Sequence, residues 1–300
     1  MAVSFDDYLV IGISSRALFD LEKANEVFET QGLDAYREYQ FQNENQILQP
    51  GSGFSLVKSL LDLNEKCGKK LVEVILMSRN SAETSLQIIH SLEHYNLDIK
   101  RMALSGGEPI TKYLKPFGVD LFLSCHEVDV NQAIQEGFPA GLIYTNKNEY
   151  TNNPDGQIRI AFDADAVLFS KESEDIYQSK GLDAFVENEI KNREIQLKEG
   201  PMAKFLFSLS NLQKNAKDHN LLRTAIVTAR DRDTGVRVIK TLKNWDIIVD
   251  EVFFLQGAKK ADILESFGAN IFFDDQDVHL APASKKVPSA RVPYKEDDYE

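Results

Sequence analysis

Leu9-Val10-Ile11-Gly12-Ile13-Ser14-Ser15-Arg16-Ala17-Leu18-Phe19 returns 150 residues later as Arg159-Ile160-Ala161-Phe162-Asp163-Ala164-Asp165-Ala166-Val167-Leu168-Phe169. It is not an isolated echo. Gly32-Leu33-Asp34-Ala35-Tyr36 recurs as Gly181-Leu182-Asp183-Ala184-Phe185, and Val74–Ser78 lines up with Thr224–Thr228. Phe117–Phe122 lines up with Phe267–Phe272. Echoes that keep one order and nearly one displacement mark an internal repeat, so the chain reads as two halves of one design.

Working outward, each half alternates short apolar runs with amphipathic stretches. In the second half the runs are Ile158–Phe162, Thr224–Val227, Glu251–Leu255 and Asn270–Phe273. They are short and rich in Val, Ile and Phe, as strands buried on both faces are. Between them, 202–214 and 234–244 space their apolar residues by three and four, the period of a helix with one buried face. Strands alternating with helices predict an α/β fold with a doubly wound parallel sheet in each half. The halves are expected to span 1–150 and 151–281, joined near 146–156, where Asn, Pro154 and Gly156 cluster. From about 282 to 300, three prolines and a charged end predict a tail.

The 300 residues suffice for two cores, and 43% hydrophobic with 27% charged content is ordinary for a globular chain. A net charge of −13 argues against a non-specific nucleic-acid surface, yet a local cation can still hold a small anion. No apolar run is long enough to span a membrane, and no secretory leader is read at the N-terminus. Two cysteines make no disulfide framework. A cytoplasmic setting is therefore expected, without nucleic-acid or membrane partners; self-association is left open.

In open α/β sheets ligands bind beyond the carboxyl ends of the strands. The second half presents there Asp163-Ala164-Asp165, Thr228-Ala229-Arg230, Gly257-Ala258-Lys259-Lys260 and Asp274-Asp275. Carboxylates gathered on one rim repel unless a hard dication with oxygen ligands neutralises them. One aspartate could then attack phosphorus, and a neighbour could protonate the leaving alkoxide. A lysine suits phosphate oxygen as a compact cation. Taken singly, each feature is a turn, a helix cap or a solvated lysine; jointly and in this order they point to phosphoryl transfer.

These strings resemble the four motifs of the haloacid dehalogenase (HAD) superfamily. More narrowly, Asp165-Ala166-Val167-Leu168-Phe169-Ser170 and Phe272-Phe273-Asp274-Asp275-Gln276, with Ser14–Phe19 and Gly32-Leu33, resemble the cytosolic 5′-nucleotidase I family from about residue 7 to 281. The resemblance implies two tandem HAD-like, Rossmann-like halves and hydrolysis of nucleoside 5′-monophosphates, AMP-like, with Mg2+. It makes Asp163 the nucleophile and Asp165 the general acid/base, whose main-chain carbonyl also binds the metal. Thr228 and Ala229 would hold the phosphate, Lys260 would neutralise it, and Asp274 and Asp275 would complete the metal site. It also implies a small helical cap near 171–217, against the alternative that these helices only pack on the first half.

At a displacement of 150, Ile13 falls opposite Asp163, Ser15 opposite Asp165, Ser124 and Cys125 opposite Asp274 and Asp275, and Ile110 opposite Lys260. Only the hydroxyl survives, as Ser78 for Thr228, so the first half is expected not to catalyse. It is either a scaffold or a nucleotide or effector site formed by Ser14, Ser15, Arg16 and the Ser105-Gly106-Gly107 turn, whose amides could cradle an anion. The leading expectation is a 5′-nucleotidase working through an aspartyl-phosphate. The alternatives are a phosphatase or phosphotransferase for another small phosphate ester, and a silent nucleotide sensor.

Overall fold

The structure, a computed structural model, describes residues 5, 7–145, 153–215 and 220–294. The first strands are β1 (Leu9–Ile13), β2 (Val72–Ser78), β3 (Arg101–Leu104), β4 (Leu121–Ser124) and β5 (Ala140–Ile143). They are followed by β6 (Ile158–Phe162), β7 (Leu222–Thr228), β8 (Glu251–Phe254), β9 (Ile271–Asp274) and β10 (Ser289–Arg291). All lie in one ten-stranded sheet of order β3-β2-β1-β4-β5-β10-β9-β6-β7-β8. The order 3-2-1-4-5 thus recurs in the second half as 8-7-6-9-10. Neighbours pair in parallel everywhere except at the centre, where β10 runs antiparallel to β5 with Ala290 opposite Ile143.

Helices α1 (Ser15–Leu18), α2 (Glu22–Asn43), α3 (Phe54–Cys67), α4 (Leu86–His94) and α5 (Glu127–Gln135) connect the first strands. Their later counterparts are α6 (Glu172–Lys191), α7 (Ala203–Asn215), α8 (Arg232–Asn244), α9 (Lys260–Phe267) and α10 (Asp277–Ala283). Parallel strands cannot be joined by a tight hairpin, so crossover segments are obligatory and the alternation follows. β1 and β2 are buried along their whole length, the burial that unbroken apolar strands demand. One buried apolar cluster contains β1, β2 and β4 residues together with Phe162, Phe205, Phe273 and Ala290 of the second half. The halves therefore share a core across the β5–β10 seam.

Two expectations change here. The stretch from 282 is not a tail throughout: Ser289 and Ala290 are buried in β10, and Val292 N–H donates to the Asp274 carbonyl at 2.9 Å. Prolines and charges hid a three-residue strand that pairs with nearby β9 and with the distant β5; residues 295–300 lie outside the described residues. The stretch 171–217 also divides. In α7, Phe205, Leu206 and Leu209 are buried, so that helix belongs to the core. By contrast α6 leaves Tyr177 and Leu182 exposed and breaks at Gly181, where φ is 82° and ψ −179°. Gly32 breaks α2 with nearly the same angles, φ 84° and ψ −174°, in a region costly for residues with a Cβ. Of the junction expected at 146–156, residues 146–152 lie outside the described residues.

A third glycine, Gly200, is required by close approach. Gly200 N–H donates to the Leu168 carbonyl at 2.8 Å, strapping the chain to the turn that follows β6. A Cβ at Gly200 would lie 2.6 Å from the Val167 carbonyl oxygen, with nothing but backbone to displace. Gly200→Ala is expected to destabilise the protein by about 1–3 kcal/mol, the usual cost of overpacking. An unchanged urea midpoint would show that the strap yields freely.

Candidate active site

Asp163 follows β6, and its N–H donates to the Phe273 carbonyl at 2.8 Å, locking the end of β6 to β9. Behind it Phe162 stacks on Phe273, with centroids 5.4 Å apart, and Phe205 sits edge-on to both. This aromatic floor fixes two strand ends at once. Asp274 closes β9; its Oδ1 accepts the Gln276 N–H at 2.9 Å. Lys260 opens α9 and sends Nζ to Asp274 Oδ2 at 2.7 Å and to within 2.9 Å of Asp163 Oδ1. Its ammonium is buried, so the pair of carboxylates must hold it.

Oxygen atoms of Asp163, Asp274 and Asp275 lie within 4.8 Å of one another. Asp275 Oδ1 is buried without a hydrogen-bond partner. A carboxylate oxygen left bare in the interior is costly unless a cation meets it. Three hard oxygen donors around an orphaned atom suit a hard dication, so these residues fit a metal such as Mg2+. Thr228, the last residue of β7, is buried, and its Oγ1 accepts the Arg230 N–H at 3.3 Å, while Ala229 is exposed.

Burial pushes the Asp275 carboxyl up to about 8, with the charges of Asp163 and Asp274 adding to it. Burial also raises Asp163 and Asp274, against the pull of Lys260. A carboxyl raised above its unfolded value favours the fold only while protonated. Without a cation, stability present in the acid range is therefore lost as pH climbs from the ordinary carboxylate range to about 8. A dication binds the ionised form and offsets that loss. The Mg2+-induced rise in melting temperature is thus expected to be larger at about pH 8 than at about pH 5.5. Equal rises at both would place the ion away from these carboxylates.

Asp165 does not join that cluster. Its carboxylate is gripped by Arg230, Nε to Oδ2 and Nη2 to Oδ1, both at 2.7 Å. Arg230 is buried, and its Nη1 donates to Glu189 Oε2 of α6 at 2.6 Å and to the Thr234 carbonyl at 2.9 Å. Glu189 is wholly buried and also accepts Arg237 Nη1 at 3.0 Å and Ser173 Oγ at 2.9 Å. Sequence reasoning assigned neither Arg230 nor Glu189 a role. The signal was faint but present: Arg230 ends the Thr228-Ala229-Arg230 string, and Glu189 stands among surface-like residues of α6.

The hydrogen bonds also correct the pairing of the halves. Ser14 N–H donates to the Leu123 carbonyl at 2.9 Å as Asp163 N–H does to Phe273, so Ser14, not Ile13, holds the position of Asp163. Gly53 N–H reaches Ala17 as Met202 N–H reaches Val167, so register is regained beyond the turn. Between these points the first half has Ser15 and Arg16 where the second has Ala164, Asp165 and Ala166. The extra residue is accommodated by a wider turn, with Ala166 at φ 58°. Arg16 thus stands where Asp165 and Ala166 do, and Ser15 opposite Ala164. Sequence matching slid by one because the apolar letters on either side tolerate the slip.

The 5′-nucleotidase family model matches residues 1–299. Human cytosolic 5′-nucleotidase 1B is 38% identical over 289 residues, which is 92% of this chain and 47% of that protein. The chain thus spans about half the length of that relative. With the family match running through both halves and every element of the carboxylate rim, the chain belongs to the 5′-nucleotidase family.

Proposed function

We propose that this chain is a magnesium-dependent 5′-nucleotidase that hydrolyses nucleoside 5′-monophosphates, AMP-like, to nucleoside and phosphate. The observation that carries the reading is the Asp163, Asp274 and Asp275 cluster beside the buried Lys260, with one buried carboxylate oxygen left bare. Bound there, the metal would screen the anionic phosphate from the carboxylates that must approach it. Asp163, fixed by Phe273, attacks phosphorus through a carboxylate oxygen; the P–O bond to the nucleoside breaks, and Asp163 carries the phosphoryl group. Asp165 gives the departing alkoxide its proton, then takes one from the water that attacks the aspartyl-phosphate, releasing phosphate and freeing Asp163. Thr228 Oγ1 and the Ala229 N–H hydrogen-bond the phosphate oxygens, and Lys260 balances their charge.

Asp165 must leave the Arg230 fork to reach a leaving group. In this reading Arg230, moored to Glu189 of α6, parks the acid until substrate enters, and the exposed, Gly181-broken α6 serves as the cap. The recurrence of strand order and the paired breaks at Gly32 and Gly181 support two tandem HAD-like units, the first degenerate. A cytoplasmic setting rests on the relative's printed name. Among the described residues no helix is long and apolar enough to cross a membrane.

The test is phosphate release from AMP, other nucleoside monophosphates and a sugar phosphate, with Mg2+ and with EDTA. Nucleotide turnover that the chelator abolishes is expected. Brisk sugar-phosphate hydrolysis without nucleotide turnover would replace the nucleotide with another phosphate ester. Turnover untouched by EDTA would overturn the metal.

A further inference from the structure

A cavity of about 430 Å3 opens in the first half, beyond the carboxyl ends of β1, β2 and β4, and not over Asp163. Its floor is built like the catalytic rim with the chemistry exchanged. Ser14 holds the position of Asp163. Ser124 holds that of Asp274, its Oγ accepting the His126 N–H at 3.0 Å as Asp274 accepts Gln276. Cys125 follows it where Asp275 would be, and Ile110 stands at the displacement of Lys260. No metal carboxylate and no nucleophilic aspartate remain. Ser78 keeps the hydroxyl of Thr228, 2.9 Å from Ser15 Oγ.

What has been gained is two guanidiniums, each paired with a carboxylate. Arg16 occupies the place of Asp165 and Ala166, and Arg79 replaces Ala229; both line the cavity. Arg16 spends Nε and Nη2 on Glu22, at 2.8 and 2.9 Å, in a half-exposed pair. Arg79 grips the buried Asp129 with both Nε, at 2.9 Å, and Nη2, at 2.5 Å, and Nη1 reaches the Gly107 carbonyl at 3.3 Å. A guanidinium has five N–H donors, so each keeps some for a ligand, and Asp129 is already neutralised. The catalytic rim needs a dication before it can accept a phosphate; this floor does not. Opposite it, α2 supplies Phe28, Leu33 and Tyr36, with Phe28 and Tyr36 edge to face at 5.8 Å. An anion-binding floor beneath an aromatic wall, in a cavity of this size, suits a small ligand with one phosphate end and one flat apolar end.

We infer that the first half binds a nucleotide without metal and without turning it over, its phosphate against Arg16, Arg79 and Ser78 and its base against Phe28 and Tyr36. This goes beyond the hydrolytic reading and does not depend on it. The test titrates AMP into Asp163→Asn protein in EDTA by calorimetry, with inorganic phosphate as a competitor. Binding that survives the chelator is expected, weakened at least about tenfold by Arg16→Ala and by Phe28→Ala. Both side chains are partly exposed, and circular dichroism and the melting midpoint report whether each variant remains folded. Absence of binding in EDTA up to millimolar AMP would overturn the site, as would binding indifferent to both substitutions. Phosphate competing as strongly as AMP would overturn the nucleotide assignment. Failure of Mg2+-dependent hydrolysis would leave all of these outcomes intact, so the two readings fail separately.

Discussion

Asp163→Asn is expected to lower phosphate release from a nucleoside monophosphate by about ten-thousandfold or more, the scale on which losing a covalent nucleophile costs an enzyme. The amide is nearly the same size, so the floor of Phe162, Phe205 and Phe273 should hold it in place. It removes one charge from a cluster in which burial and neighbouring carboxylates already penalise ionisation. Lys260 keeps Asp274 as its carboxylate partner, so the variant should remain folded in the absence of metal while losing turnover. That combination separates a chemical role from a structural one. Full activity in Asp163→Asn would end the nucleophile assignment and with it the aspartyl-phosphate route.

Glu189→Ala should produce the second large effect, and first in stability. Glu189 lies buried between Arg230 and Arg237, which are themselves buried. Deleting it leaves Arg237 without its carboxylate and Arg230 with only Asp165. Breaking a buried ion pair from one side costs about 3–5 kcal/mol, because the remaining charge stays desolvated. Urea denaturation should show that loss. Glu189→Gln keeps the shape and part of the hydrogen bonding, so it should cost less while still loosening Arg230. If Arg230 parks Asp165 until substrate enters, as proposed, loosening it in Glu189→Gln should change kcat more than KM. An unaltered kcat in a folded variant would reduce the network to a structural brace.

The fold was largely legible because its signals are local. The apolar runs at 158–162, 224–227 and 270–273 match β6, β7 and β9 to within a few residues. Buried parallel strands have no polar face to confuse the reading. β10 was missed for the opposite reason. Ser289-Ala290-Arg291 is too short and too mixed to announce a strand, and it exists because β9 and β5 offer hydrogen bonds on both sides. The helix α7 was grouped with the cap because amphipathicity tells that a face is buried, not against what.

At the site, the sequence by itself determined which chemical groups the rim could carry: Asp163, Asp165, Thr228, Lys260, Asp274 and Asp275 each follow or open an element whose end could be read. It also determined that the first half lacks them. Only the tertiary structure decided how those groups divide. Asp163, Asp274 and Asp275 converge with Lys260, whereas Asp165 turns to Arg230 and, through it, to Glu189. It also moved the first-half counterpart of Asp163 from Ile13 to Ser14 and set Arg16 and Arg79 around a cavity. The reason is physical. Chemistry at a strand end is announced by residue type and local order, but the partner of a buried charge is chosen by proximity in space. For Asp165 and Glu189 that partner, Arg230, lies 65 and 41 residues away along the chain.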